Sequence, residues 1–363
     1  MRTAIRTAIR NIPLLYALAA LCMVNSRWER SSLARRIMLA IKLYRQRKAG
    51  LPETIAFEPC CACTLDCAFC VLRDLQVHKH RRKTHMSLAE FKKIIDDIAW
   101  FTTEIQFSGG EPFIHKDICE MLAYARKKGI YTLVASNATL LTMGDNLDRL
   151  ISNPPDKLLL SFEALDKETY ESIRLRGNYE KLLSNIKQLV RASRASGNRY
   201  PIITLQMVLT KKNMHQEGAF RQAVADLGAD FASVKALGVW PEGSDEYRKL
   251  MVDEYIVPIS EHPISRHEVD GNGEIVCFRK PGQCSAIEHS YIGSGGEILP
   301  CWYIVSRTEV MGNAVDSNFV DVWNSAKYRA YRHEMLHGWA NPLCHRCIGV
   351  SSPKVQHATG GAA

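Results

Sequence analysis

Residues 51–258 predict an α/β fold in which a parallel sheet curls into a partial (β/α)6 TIM-like barrel. Three observations carry that expectation. Six short apolar runs with strand character, at 54–57, 104–107, 131–135, 157–162, 202–209 and 231–235, alternate with helical patterns. Parallel strands need crossovers of a dozen or more residues, and the helical stretches supply them. Beyond Pro258 the pattern changes to short strands, glycines and a second group of cysteines, which predicts a small α+β domain over 259–363. Residues 1–50 form a basic helical extension, and a chain of 363 residues, 46% hydrophobic, is long enough for this division.

The extension is set apart by charge. Residues 1–50 hold eleven Lys and Arg against one acid, Glu29, a net +10, so the remaining 313 residues net −1. Arg2, Arg6 and Arg10 recur at i, i+4 before an apolar run at 12–24. That run has thirteen residues, and a spanning helix needs roughly 20. A basic start before a short apolar stretch is also the outline of a signal peptide, but export would carry the cysteines described below into an oxidising space. The next segment, 33–48, interleaves Leu33, Ile37, Ile41 and Tyr44 with Arg35, Arg36, Lys42, Arg45 and Arg47. Such a helix can lie on an anionic membrane surface, or pack on the domain with a solvated basic face. The expected location is the cytoplasm, with a peripheral contact on the inner membrane face under the first reading. Nucleic acid is not expected as a partner, because no basic patch interleaved with aromatics follows.

Within 51–258, Ser87 and Glu90 form a capping-box pair that starts a helix over 87–99, and the helix over 116–128 ends at Gly129. Active groups of such barrels gather where strands end. A cysteine-rich loop follows the first strand, Gly109-Gly110-Glu111-Pro112 follows the second, and Ser136-Asn137 follows the third.

The loop after the first strand holds Cys63, Cys67 and Cys70, a C-x3-C-x2-C spacing. Three thiolates on a 4Fe-4S cluster leave one iron with an open coordination position. A zinc site is the bland alternative, with Cys60, Cys61 or His78 as the fourth ligand. Gly109 and Gly110 weigh against it, since they let backbone approach a bound ligand while Glu111 offers an acceptor to an ammonium group. The twelve cysteines, clustered at short spacings, read as metal ligands in a reducing compartment.

Together, the cysteine spacing, Phe69 before the last cysteine and the Gly-Gly-Glu-Pro segment resemble the radical SAM superfamily. The resemblance implies that the open iron chelates S-adenosylmethionine and cleaves it reductively to methionine and a 5′-deoxyadenosyl radical. It also implies an electron donor such as flavodoxin or ferredoxin. Ser136 and Asn137 stand where the family has a turn near the ribose, with Ala138 in place of the usual glycine. Ser161, Arg174 and Gln206 are similar to polar positions that line the cofactor pocket, although Ser161 also reads as a strand-end hydroxyl and Arg174 as a helix cap or helix-surface ion pair.

Cys284, Cys301, Cys344 and Cys347 follow in the order C-x16-C, then C-x2-C after 42 residues. Four such cysteines hold a fully ligated 4Fe-4S cluster or one zinc. The segment 291–301 reads as a hairpin with a glycine turn. Gly296 with Cys301, the Gly312-Asn313 pair and Val322-Trp323 resemble the SPASM and twitch extensions of radical SAM enzymes. Cys347 is the last cysteine, which implies one auxiliary cluster, and Cys277 is assigned as a spare thiol. An auxiliary cluster takes up an electron from a substrate radical, so the expected activity is a two-electron oxidation or rearrangement of a small polar or lipid-linked substrate by a radical SAM oxidoreductase. The alternatives are a peptide maturase of the SPASM type, whose usual winged-helix recognition pattern residues 1–50 do not show, and a non-catalytic iron-sulfur electron-transfer or zinc-binding protein, for which Gly109 to Pro112 have no use.

Overall fold

A computed structural model describes residues 31–52, 54–76, 83–276, 284–337, 344 and 347. The apolar run at 12–24, His78 and Cys277 lie outside the described residues. Helix α1 (Leu33–Lys48) leads into β1 (Thr54–Phe57), the short α2 (Val71–Asp74) and α3 (Leu88–Ile98). Next come β2 (Glu104–Phe107), α4 (Ile118–Lys127), β3 (Tyr131–Ser136), α5 (Asn146–Ser152), β4 (Lys157–Ser161), α6 (Lys167–Ile173) and α7 (Tyr179–Ala195). The core closes with β5 (Ile202–Leu209), α8 (Glu217–Asp226), β6 (Phe231–Ala236) and α9 (Asp245–Leu250).

Strands β1 to β6 pair in sequence order, all parallel. The expected strands match to within a residue at each end, because each is a compact apolar run bounded by glycine, proline or polar residues. One face, with Ile105, Val134, Leu158 and Leu160 fully buried, packs under the helices. The other face, with Leu159, Ser161 and Ser233, is only half-buried and lines an open lumen. Ser87 and Glu90 form the capping box of α3.

The C-terminal part continues the sheet. After the small β7 (Glu268–Val269) and β8 (Ile275–Val276) pair, β9 (His289–Ile292) runs parallel to β1. It then turns into the antiparallel β10 (Glu297–Leu299), which pairs with β11 (Gly312–Asn313). A single nine-stranded sheet results, in the order β11-β10-β9-β1-β2-β3-β4-β5-β6, open at β6. Helices α10 (Phe319–Trp323) and α11 (Ala326–His337) complete this part. Gly296 sits at the β9–β10 turn with φ +85°, and a Cβ there would press on Asn313 and Val315.

Helix α1 forms over the expected residues with the opposite face inward. Leu39, Ala40, Lys42, Leu43 and Gln46 are buried, whereas Leu33, Ile37, Met38, Ile41 and Tyr44 are exposed. The cations go inward because polar partners wait for them. Arg35 pairs with the fully buried Asp156 and donates to the Ile130 carbonyl at 3.1 Å. Lys42 Nζ donates to the Lys128 carbonyl at 2.7 Å and to that of Gly129 at 3.3 Å, just past the end of α4. A cation there complements the negative end of the helix dipole. The domain-packed, basic-face-out reading of this helix is thus corrected: it packs, but its outward face carries the stripe of Leu33, Ile37, Ile41 and Tyr44 as well as Arg45 and Lys48.

All these contacts lie at the N-terminal ends of the strands, the barrel floor. Replacing Arg35 by Ala should leave the buried Asp156 without its closer guanidinium, Arg126 Nε remaining at 3.7 Å, and cost about 3 kcal/mol. Hydrogen exchange checks this: amides of α1 should lose protection while those of β2 to β5 keep theirs, and unchanged α1 protection would show that the pair does not hold the helix.

Candidate active site

The loop after β1 places Cys63, Cys67 and Cys70 on one wall of a cavity of about 660 Å3 at the barrel mouth. That volume lies within the roughly 300–1,000 Å3 of ligand pockets. Gly109, Gly110, Ser136, Asn137, Ser161 and Arg174 line the same cavity. Gly109 has φ +110°, and a Cβ on Gly110 would overlap the Ala62 carbonyl. Gly110 N donates to the Cys60 carbonyl at 3.1 Å and Glu111 N to that of Ala62 at 2.7 Å, so the glycine pair is pressed against the cysteine loop.

Glu111 does not reach the cavity. It is buried, with Oε1 accepting from Ser136 Oγ at 2.9 Å and Phe113 N at 3.1 Å, and Oε2 from Asn137 N at 2.8 Å. Burial raises its pKa against the pull of those bonds. Its carboxylate therefore holds the turn after β3, with both oxygens already accepting and the side chain outside the cavity lining. Asn137 Nδ2 donates to Thr64 Oγ1 at 3.2 Å and lies 3.6 Å from Cys63 Sγ, tying that turn to the cysteine loop. Ala138 takes the left-handed conformation, φ +64°, that a glycine would adopt without strain. Gln206 is buried on β5 beside Ser161 in register, outside the cavity lining.

Arg174 faces the cysteines and is not on a helix surface. Its Nη1 is 3.1 Å from Cys67 Sγ, its Nη2 pairs with Glu163, and its guanidinium lies 5.2 Å from the Phe69 ring centre. Burial alone would lower its pKa, but Cys67 and Glu163 hold it charged. Glu163 is fully buried, and its second oxygen accepts from Val208 N at 2.6 Å. A carboxylate after β4 with no motif around it left no signal in the sequence.

The thiols suit a cationic cluster. Cys63 is exposed to the cavity, yet the surrounding protein disfavours its thiolate and pushes its pKa up to about 11; Cys70 is raised by burial, then by Cys67. Three thiolates beside one arginine are tolerable when iron supplies positive charge. Among the described residues no three ligand side chains converge tightly enough to share one metal ion.

At the C-terminal side, Cys301, Cys344 and Cys347 line a second, small cavity with Tyr303, Tyr331 and Met335. Burial first, then the neighbouring Cys284 and Cys347, hold the Cys301 thiol well above its ordinary value. Trp240 lines the first cavity and Tyr303 the second, with ring centres 4.7 Å apart. The aromatic pair stands between the two cysteine groups. Sequence reading missed Trp240, which precedes Pro241 in what looks like an ordinary loop.

Comparison with known proteins decides the family. The profile of the radical SAM superfamily matches residues 57–218, and that of the SPASM iron-sulfur cluster-binding domain matches 284–348. The chain belongs to the radical SAM superfamily. Its SPASM domain follows the radical SAM domain, and the pair brings a 4Fe-4S cluster, S-adenosylmethionine and further iron-sulfur binding.

Among its relatives is a PqqA peptide cyclase of Bradyrhizobium diazoefficiens, 25% identical over 82% of this chain and 79% of that one. A tungsten-containing aldehyde ferredoxin oxidoreductase cofactor-modifying protein of Pyrococcus furiosus is 25% identical over 78% and 84%. The mycofactocin maturase MftC of Mycobacterium tuberculosis is 23% identical over 82% and 77%. The fold is that of Streptococcus suis SuiB, solved bound to its precursor peptide SuiA: TM-score 0.58, 17% identity, covering 84% of this chain and 73% of that one.

Anaerobic reconstitution should load roughly eight irons per chain. Cys67→Ala and Cys301→Ala should each reduce this to roughly four. About four irons with one zinc in the parent would reassign the C-terminal cysteines.

Proposed function

We propose that this radical SAM enzyme is a peptide maturase. The observation that carries the reading is the open mouth itself: the Cys63, Cys67 and Cys70 trio and the Gly109-Gly110 approach share a cavity that Trp240 and Tyr303 separate from a second cysteine set. The similarity to a PqqA peptide cyclase and a mycofactocin maturase, each over most of its length, favours a peptide over the small polar or lipid-linked substrate expected from the sequence. Those names describe cyclisation and maturation, so the proposed reaction is radical modification of a peptide.

In this reading Cys63, Cys67 and Cys70 hold the reactive cluster and Cys284, Cys301, Cys344 and Cys347 the auxiliary one. When bound, S-adenosylmethionine and its cluster supply the hydrogen-abstracting radical. Gly109 and Gly110 give backbone access, and the turn of Ser136 and Asn137, with Ser161, shapes the pocket. Arg174, fixed by Glu163, keeps a positive charge beside Cys67. Gln206 backs Ser161 from the neighbouring strand. The domains follow the boundaries 1–50, 51–258 and 259–363, and a flavodoxin or ferredoxin is the electron donor.

Reconstituted protein given S-adenosylmethionine and dithionite should form 5′-deoxyadenosine, and Glu163→Gln should slow this about tenfold with iron content unchanged. Mass spectrometry of short peptides encoded beside its gene should show a covalent mass change in one of them that requires S-adenosylmethionine. Cleavage of the cofactor with every such peptide unmodified would return the reading to a small-molecule substrate.

Residues 1–50 are assigned a peripheral contact with an anionic membrane. Leu33, Ile37 and Ile41, 69%, 44% and 47% exposed, form with Tyr44 one outward stripe of α1, beside the exposed Arg45 and Lys48. A continuous apolar stripe flanked by cations matches an anionic lipid surface better than water. No helix among the described residues is long and apolar enough to cross a membrane. The full chain should sediment with phosphatidylglycerol vesicles and not with phosphatidylcholine, and a Leu33, Ile37, Ile41→Ser variant should stay in solution. Equal sedimentation of parent and variant would sink the assignment.

A further inference from the structure

The barrel floor holds a further cavity, and its wall is cationic. About 420 Å3 in volume, it is lined by Arg35 of α1, by Arg126 and Lys127 of the last turn of α4, and by Ser152 and Asn153 at the end of α5. Ligand pockets have this size. Among the described residues no acid lines it. It lies at the opposite ends of the strands from the cysteine trio, so the proposed reaction gives it no task.

The two guanidiniums are neighbours by direct contact. Arg35 pairs with both carboxylate oxygens of Asp156, and Arg126 Nε stands 3.7 Å from the same Oδ1 that Arg35 holds. Both cations also lie over the Tyr200 ring, 5.9 Å and 5.2 Å from its centre. Arg126 Nη1 donates to the Pro154 carbonyl at 2.6 Å, which fixes that side chain against the segment leading into β4. Asp156 is fully buried, and its Oδ2 accepts as well from Thr132 N at 2.9 Å and Thr132 Oγ1 at 3.2 Å. One committed carboxylate therefore serves two arginines. Lys127 is exposed and has no hydrogen bond or ion pair among the described residues. Three cations against one acid leave two positive charges in excess on a concave surface.

We infer that this cavity binds a phosphate group. Like charges gathered on one wall repel until an anion sits among them, and a guanidinium offers a planar fork of donors that matches a phosphate. The excess of two decides between oxyanions. A phosphate monoester carries about −1.5 to −2 near pH 7, whereas a single carboxylate would leave one cation unanswered. Ser152 and Asn153 add an uncharged hydroxyl and amide to the same wall. The phosphate comes either from a small molecule in solution or from a lipid headgroup, since the apolar stripe of α1 lies on the same floor. A guest here touches α1, α4 and the end of α5 together. The inference goes beyond the proposed function and rests neither on the radical chemistry nor on the membrane contact.

Calorimetric titration of the reconstituted full chain with inorganic phosphate, glycerol 3-phosphate and uncharged glycerol tests the first source. Sedimentation with phosphatidylcholine vesicles, with and without phosphatidate, tests the second. Saturable binding of either soluble phosphate names a small molecule, and binding of phosphatidate vesicles alone names a lipid; glycerol and plain phosphatidylcholine should not bind. Arg126→Gln and Lys127→Gln should each weaken the binding about tenfold, the loss of one charge-assisted hydrogen bond. Lys127 is exposed, so its replacement leaves the fold intact, and Lys127→Arg should bind within a few-fold of the parent. Lys187→Gln removes an equally exposed charge outside the cavity and should bind like the parent. A parent that binds none of the three phosphate probes would overturn the inference. So would Lys127→Gln binding like the parent, or Lys187→Gln weakening the binding as much as Lys127→Gln, which would reduce the effect to overall charge.

Discussion

The barrel mouth depends on buried carboxylates that are fully committed to neighbours. Glu58 follows β1, Glu111 follows β2 and Glu163 follows β4, and all three are buried. Burying a carboxylate is costly unless every oxygen is satisfied, so each one dictates what must surround it. Glu111 collects Ser136, Asn137 and Phe113 and thereby shapes the turn after β3. Glu163 collects Arg174 and the β5 backbone. Glu58 accepts from Tyr291 Oη at 2.8 Å and pairs with Arg307 at 3.2 Å, which also reaches Glu297 and Ser294. Through Glu58 the cysteine loop is tied to the β9–β10 hairpin, and the two cysteine groups are held in one frame.

Within that frame, protein disfavours the thiolates of Cys63 and Cys70 until iron replaces the protons, and the Arg174 guanidinium sets a positive charge beside Cys67. The Trp240 and Tyr303 rings fill the remaining wall with apolar surface, which limits water between the cysteine groups.

Much of this was legible in the sequence, and the part that was not has a common cause. Strand ends could be read to within a residue because each strand is a short apolar run bounded by turn residues, and the cysteine and glycine motifs are local in sequence. The roles of Glu58, Glu111 and Glu163 depend on partners up to 249 residues away, and no local pattern records them. Glu111 looked like a ligand contact because its motif is adjacent to the site, yet its oxygens turn inward to the next strand's turn. The sheet's continuation through β9 was invisible for the same reason: a hairpin reads alike whether it stands alone or pairs with β1.

Helix α1 shows how far such distant partners can override pattern. By sequence its lysines and arginines belong in water and Leu33, Ile37 and Ile41 inside, but Asp156 and the Lys128 and Gly129 carbonyls draw Arg35 and Lys42 inward and turn that apolar stripe out. The stripe lies at the barrel floor, whereas the cysteine trio lies beyond the other ends of strands four to eight residues long, roughly 15–25 Å away. A protein resting on a membrane through this stripe therefore turns its mouth away from the lipid. A lipid-linked substrate would have to leave the bilayer and travel around the barrel, while a peptide in solution meets the open lumen directly. The inverted helix, which at first suggests a lipid substrate, thus supports a soluble one.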